Sequence, residues 1–318
     1  MMKRGVKTLL LTLKGGNKNM KKKLLSITLA FAITLSGAAA LPTGASAASN
    51  LSSNLGIVEI STSLIKTEVA AFDEFQKATW ENINIGTKKA GEMNKFQIEL
   101  AEIQKLAKVK DAEVNLERAK AEFNQLRTKN PQLAKQKLDE AHRKFEQARV
   151  RAGEEFKLQA QKIQTDFARE RSKIKSMTSQ NDKVMKDKGT KVRKTTGVEE
   201  VQNAIVLVNE YKNNKVDSIQ DYAVAEKETN KISAQILERE YFISKLDTEI
   251  MKIKNNLSDK GYRAKMDALN KEYQLQSNKL QEQYAKIRVN ENQRYQAVNK
   301  RAQDSISLLK LRLKTISK

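Results

Sequence analysis

Residues 262–309 read YRAKMDALNKEYQLQSNKLQEQYAKIRVNENQRYQAVNKRAQDSISLL. Tyr262, Tyr273, Tyr284, Tyr295 and Ile306 recur every eleven residues. Eleven residues make three helical turns of 3.67 residues, so these positions keep to one line of a straight helix, drifting opposite in hand to a heptad. Met266, Leu269, Leu280, Ile287, Val298 and Leu309 stand three, four or seven places after a member of the row, the offsets that share one helical face. The stretch predicts one long amphipathic helix whose tyrosines form a core seam against a neighbour. A ladder of rings for stacking sugars is the competing reading, and coincidence of the row with the apolar stripe favours packing.

The spacing returns in mid-chain, where Phe145, Phe156 and Phe167 repeat it and Phe123 with Ala134 extends it backward. Composition agrees. Two Pro and 12 Gly among 318 residues leave few helix breakers, and Lys, Glu, Gln, Ala, Leu and Arg give up little on entering a helix. The fold expected is all-α: elongated antiparallel helical hairpins forming a coiled-coil-like bundle with hendecad periodicity.

Punctuation divides the chain. Asn130 can cap and Pro131 suits a first helical position, so one helix ends near Arg127 and the next begins here. Residues 179–197 hold Gly189, Gly197 and little apolar material, which predicts a basic linker; Thr196-Gly197-Val198-Glu199 then reads as a capping box. Asn255 to Gly261 is the next turn. The predicted helices are 50–84, ending at Gly86-Thr87, then 88–128 and 131–177 in an N-terminal segment over 48–178, followed by a C-terminal hairpin over 198–318 of helices 198–256 and 259–316. Short connections between matched helices favour antiparallel pairing.

Upstream, Lys21, Lys22 and Lys23 precede the apolar run Leu24 to Gly37, and Ala45, Ser46 and Ala47 supply an A-x-A site. This is a signal peptide pattern over 20–47, with an apolar run too short to span a bilayer, so export and cleavage near Ala47 are expected, with no transmembrane anchor afterwards. Residues 1–19 read as an upstream mis-start, because Lys14-Gly15-Gly16 can encode a ribosome-binding sequence just before Met20. Such a site is characteristic of low-GC Gram-positive bacteria.

Cysteine is absent, so no disulfide staples the fold, and the single His142 cannot build a zinc site of the usual kind. No phosphate-binding glycine loop, nucleophile elbow or H-E-x-x-H pattern occurs. Glu154-Glu155 and Glu199-Glu200 are sequence neighbours rather than a glycosidase dyad. The expectation is no enzyme, no cofactor and no metal.

Charge carries the functional signal. The total is +22, of which the first 47 residues contribute 8 basic and no acidic groups. Residues 131–195 hold 18 basic against 9 acidic side chains, 198–250 hold 6 against 11, and 251–318 hold 16 against 6. Complementarity between the last two absorbs part of the imbalance. The densest excess is Arg169, Arg171, Lys173, Lys175, Lys183, Lys186, Lys188, Lys191, Arg193 and Lys194, against Glu170, Asp182 and Asp187. Such a run is a solvated helix face or a polyanion-binding surface, since repeated phosphates or carboxylates release counterions on binding it.

The order of parts resembles the helical wall-binding region at the N-terminus of bacillar S-layer proteins: a signal peptide, then basic helices, with the turn Thr128-Lys129-Asn130-Pro131-Gln132-Leu133 leading into Leu138-Asp139-Glu140-Ala141-His142-Arg143-Lys144-Phe145. The resemblance covers residues 90–180. It implies helices that hold anionic wall polysaccharide through basic side chains; no β-sandwich repeats follow, so a complete lattice subunit is not implied. The function expected is a secreted, non-enzymatic binding or structural protein of the Gram-positive cell envelope, with anionic cell-wall polysaccharide or teichoic-type polymer as partner, self-association through helices as a further option, and no genomic nucleic acid. A secreted helical chaperone or scaffold is the alternative. A helical pore-forming toxin ranks last, because the best apolar run after the leader is only Ala204 to Val208.

Overall fold

The computed structural model describes residues 58–254 and 256–318. The expected leader over 20–47, the mis-start over 1–19 and the first residues of the 50–84 helix lie outside the described residues. Among the described residues the fold is all-helical: α1 is Glu68–Leu126, α2 Pro131–Val192, α3 Gly197–Ile253 and α4 Asp259–Ile316. At 1.5 Å per residue each helix is about 85–93 Å long.

Local chemistry sets most of the ends. The Thr67 hydroxyl accepts from Ala70 N, the Asn130 side chain accepts from Leu133 N with Pro131 at the first helical position, and Ser258 accepts from Gly261 N. Each satisfies an amide that the first turn leaves orphaned. Thr196 differs from its expected role: it is the N-cap of α3 in backbone geometry but makes no side-chain cap bond, and Gly197 follows at φ +68°, a left-handed conformation that favours glycine.

Three sequence expectations are corrected. The helix expected over 50–84 is absent from residues 58–66, which are non-helical, and α1 begins at Glu68 behind its Thr67 cap. Gly86-Thr87 ends nothing. A helical glycine costs only about 1 kcal/mol relative to Ala, and the Thr87 hydroxyl returns to Ile83 O, while Ile85 and Phe96 on either side are buried. The linker over 179–197 is helix through Val192, because its sparse apolar residues are well placed: Met185 and Val192 are buried, and Gly189 accommodates the Phe72 ring.

Neighbouring helices pack in the order α2, α1, α3, α4. Within the two hairpins the helices are antiparallel, as Lys108–Glu155 and Lys137–Glu122 show for α1/α2 and Lys227–Glu291 and Lys252–Asp259 for α3/α4. The hairpins meet through α1 and α3, which run parallel: Asn214 donates to Thr79, Lys110 pairs with Asp247, and Arg118 with Glu249. The core is thick where α1 and α3 begin, with Phe75, Val201, Val208, Tyr211, Ala302 and Leu309 in one cluster and Ile85, Phe96, Ile219, Tyr222 and Val298 in another. Toward the other end it thins to Leu237 with Leu280, and Val114 with Leu246 and Ile250.

Two side chains of the non-helical segment 58–66 enter the thick core. Val58 and Ile65 are buried, and polar side chains hold its backbone: Lys215 Nζ donates to Glu59 O at 2.8 Å, Arg301 Nε to Ser63 O at 2.8 Å, and Ile65 N to Ser305 Oγ at 3.0 Å.

Candidate functional site

The ten predicted polyanion-binding residues lie on the second half of α2 and in the turn that follows. Three are engaged with carboxylates. Arg169 pairs with Asp166 and Lys173 with Glu170, one helical turn away, while Lys188 reaches across to both oxygens of Glu210 on α3 at 2.7 Å and lies over the Phe75 ring. Lys188 is therefore an interhelical tie rather than a free ligand-binding group. Arg171 lies over the Phe167 ring, 5.7 Å from its centroid.

The other six, Lys175, Lys183, Lys186, Lys191, Arg193 and Lys194, are exposed and form no ion pair among the described residues. Helical geometry groups them. Lys175, Lys186 and Arg193 fall within about 20° of one line at 100° per residue, and Lys183 and Lys194 fall on an adjacent line. The first line is about 27 Å long at 1.5 Å per residue. The core side of α2, marked by Ile163, Met185 and Val192, lies about 100° around the helix from the first line and opposite the second. Asp182 and Asp187 are the exposed carboxylates of this stretch, and neither forms an ion pair among the described residues. The local excess of positive charge thus belongs to a solvent face and is not spent on holding helices together.

The α3/α4 pair behaves differently. Cross-helix bridges join it: Arg312 of basic α4 grips both oxygens of Glu200 on acidic α3, while Lys227 with Glu291 and Lys252 with Asp259 run in the opposite sense. Deeper in, Arg301 donates to Glu74 at 2.9 Å and to the Tyr211 hydroxyl at 2.7 Å. Burial alone would raise the Glu74 carboxyl, but the hydrogen bond and charge of Arg301, helped by Lys77 and Lys215, hold it below the usual carboxylate range. Burial pushes the Tyr211 hydroxyl up, against the opposing pull of Arg301.

The expected core seam is only partly a core. Phe145, Phe156 and Phe167 on α2, and Tyr262, Tyr273, Tyr295 and Ile306 on α4, are half-buried at the edges of the helix contacts. Tyr284 is 51% exposed, which corrects its placement in the seam. Buried positions of α4 include Gln276, Ile287, Val298 and Leu309, each three residues after a row member. A three-residue step moves the line by about 60° around the helix, enough to turn a central position into a flanking one.

The displaced rings border a groove that sequence reasoning missed. Tyr273, Ser277, Leu280, Gln281 and Tyr284 on α4 face Asn230, Ala234 and Leu237 on α3 around a space of about 250 Å³. Tyr273 also lines a second hollow of about 230 Å³ with Glu238, Arg239, Tyr241, Phe242 and Lys245. Tyr241 stacks on Tyr273 with ring centroids 4.5 Å apart and donates its hydroxyl to Asn270. The groove exists because small Ala234 and Ser277 stand between large rings; only the long-range register of α3 on α4 brings them together. Among the described residues no cluster of His, Cys, Asp and Glu could hold a metal ion, and no helix is long and apolar enough to cross a membrane. Set against protein-family models, curated proteins and solved structures, the chain matches none of them.

Proposed function

We propose that this chain is a non-enzymatic, exported protein of the Gram-positive cell envelope that holds anionic wall polymer along the outward face of α2. One observation carries the reading: six cations between Lys175 and Lys194 are exposed and without carboxylate partners, on a helix whose opposite face is used for packing. A polymer with regularly spaced phosphates or carboxylates gains from such a line by releasing counterions, and needs no pocket. The long helices serve as the support, and an eleven-residue coiled-coil-like repeat belongs to the same reading, supported by the burial of Ile287, Val298 and Leu309.

The test is retention of the secreted form on purified cell walls, with and without their anionic polymers, across salt from about 50 mM to about 500 mM, a range over which multi-phosphate contacts weaken steeply. Retention should need the polymer, fall with salt, and be lost when Lys175, Lys183, Lys186, Lys191, Arg193 and Lys194 are all replaced by Gln. Salt-insensitive retention, or none, overturns the proposal.

A further inference from the structure

The groove between α3 and α4 has a composition that packing alone does not explain. Two tyrosine rings, Tyr273 and Tyr284, border it, and the second is half in water at a place where Ala234 across the groove gives it nothing to press against. The hydroxyls of Tyr273, Tyr284 and Ser277 and the amide of Gln281 have no hydrogen-bond partner among the described residues, whereas Asn230 donates to Leu280 O at 3.0 Å and is fixed in the wall. Along the same helix pair, Arg239 and Lys245 border the adjoining hollow and form no ion pair among the described residues; Lys245 lies over the Tyr241 ring, 5.2 Å from its centroid. Glu238 stands on that wall as a hydrogen-bond acceptor.

Flat rings beside hydroxyl and amide groups, with two cations a turn or two away, match one ligand chemistry. A pyranose offers an apolar C–H face to an aromatic ring and an equatorial rim of hydroxyls to polar side chains. The space of about 250 Å³ equals roughly eight waters at about 30 Å³ each, room for one sugar ring and too little for a drug-sized ligand. We propose that this groove binds a short anionic glycan, one pyranose lying against Tyr273 with its anion toward Arg239 and Lys245 and a further unit against Tyr284, eleven residues or about 16 Å further along α4. The site deepens the polymer-binding reading by naming a repeat unit, and rests on that reading for the source of the sugar. As a shallow, open site that takes about a dozen heavy atoms of each unit, it binds such a glycan with an affinity of millimolar order.

The experiment uses the secreted form with tyrosine-selective isotope labelling; its seven tyrosines give few, resolvable resonances. Titration with a short glucuronate oligosaccharide should shift Tyr273 and Tyr284 and leave Tyr211 and Tyr222, in the thick core, unmoved. A glucose oligosaccharide of the same length should shift the same two several-fold more weakly, and the double variant Arg239→Gln/Lys245→Gln should bring the glucuronate oligosaccharide to the level of the neutral one. Tyr284→Ala should weaken binding roughly three- to tenfold, the range of a lost aromatic contact, and Ala234→Phe should abolish it by filling the space. Both side chains are exposed, so circular dichroism should report unchanged helicity in these variants. Absence of shifts up to about 50 mM sugar, some ten times a millimolar-order dissociation constant, or shifts indifferent to both Ala234→Phe and Tyr284→Ala, overturns the proposal. The two sites fail separately: salt-dependent wall retention without sugar shifts removes the groove alone, and sugar shifts surviving with no wall retention remove the α2 face alone.

Discussion

Replacing Arg301 by Met tests the packing logic where four parts of the chain meet. Arg301 on α4 is 6% exposed and ties together Glu74 of α1 at 2.9 Å, the Tyr211 hydroxyl of α3 at 2.7 Å and Ser63 O of the segment 58–66 at 2.8 Å, while its guanidinium stacks over the Tyr211 ring. Met fills a similar volume, so the change removes charge and hydrogen bonds more than packing. Breaking a buried pair by deleting one partner costs about 3–5 kcal/mol, because the other charge stays behind. Here the Glu74 side chain is 22% exposed and water recovers part of that, so about 2–4 kcal/mol is expected. For a chain of this size each kcal/mol lowers the midpoint of thermal unfolding by about 2–4 °C, giving a fall of about 5–15 °C. The assay is thermal unfolding followed by circular dichroism on the wild type, Arg301→Met, Glu74→Gln and the double variant. Arg301→Met/Glu74→Gln should recover about 1–2 kcal/mol over the sum of the single losses, because neither charge is then stranded. A fall below about 2 °C for Arg301→Met, or strict additivity in the cycle, would refute the view that this residue locks the segment 58–66 to the bundle.

Acid should destabilise the fold through the same network. The Glu74 and Glu117 carboxyls are held below their usual range, so the stability they contribute is present above about pH 4.5 and is lost as pH falls through their lower folded values; urea midpoints measured down the acid range should show it, and Glu74→Gln should flatten the drop. At the alkaline end Lys110, whose desolvation is outweighed by Glu113 and Asp247, is held above its usual range, so its contribution persists through neutral pH and is lost only above about pH 10.5. Glycine substitutions should split by environment. Gly86→Ala and Gly91→Ala meet open space within continuous helix and should each add about 0.5–1 kcal/mol in urea unfolding; Gly189→Ala, whose new methyl would stand 3.1 Å from the Phe72 ring, should gain less or lose, and Gly197→Ala should cost about 1–2 kcal/mol because its φ is left-handed. Leu309→Ala, at a position with no exposure, should cost about 2–5 kcal/mol, whereas Leu311→Ala, 62% exposed two residues on, should stay within about 0.5 kcal/mol.

The candidate site divides along the same line as the fold. That residues 169–194 are rich in lysine and arginine is visible in the letters alone, but which of them are free is not: Lys188 is taken by Glu210, 22 residues away, and Arg169 and Lys173 by carboxylates one turn back. The groove of Tyr273 and Tyr284 left no local trace, since its empty space is made by Ala234 on another helix.

Helicity is a local property. Each backbone bond joins residues four apart, and propensity, Asn130-Pro131 and the Ser258 cap act over a single turn, so the sequence by itself determined an all-α chain and the starts of α2 and α4. A helix also absorbs an isolated glycine at small cost, and for this reason Gly86 and Gly189 misled as breaks. The parallel seating of α1 on α3, the tethering of residues 58–66 by Arg301 and Lys215, and the 60° displacement of the tyrosine row were decided only by tertiary packing. An apolar stripe about 100° wide says that a helix will be covered, and leaves its partner, direction and azimuth to the contacts among all four.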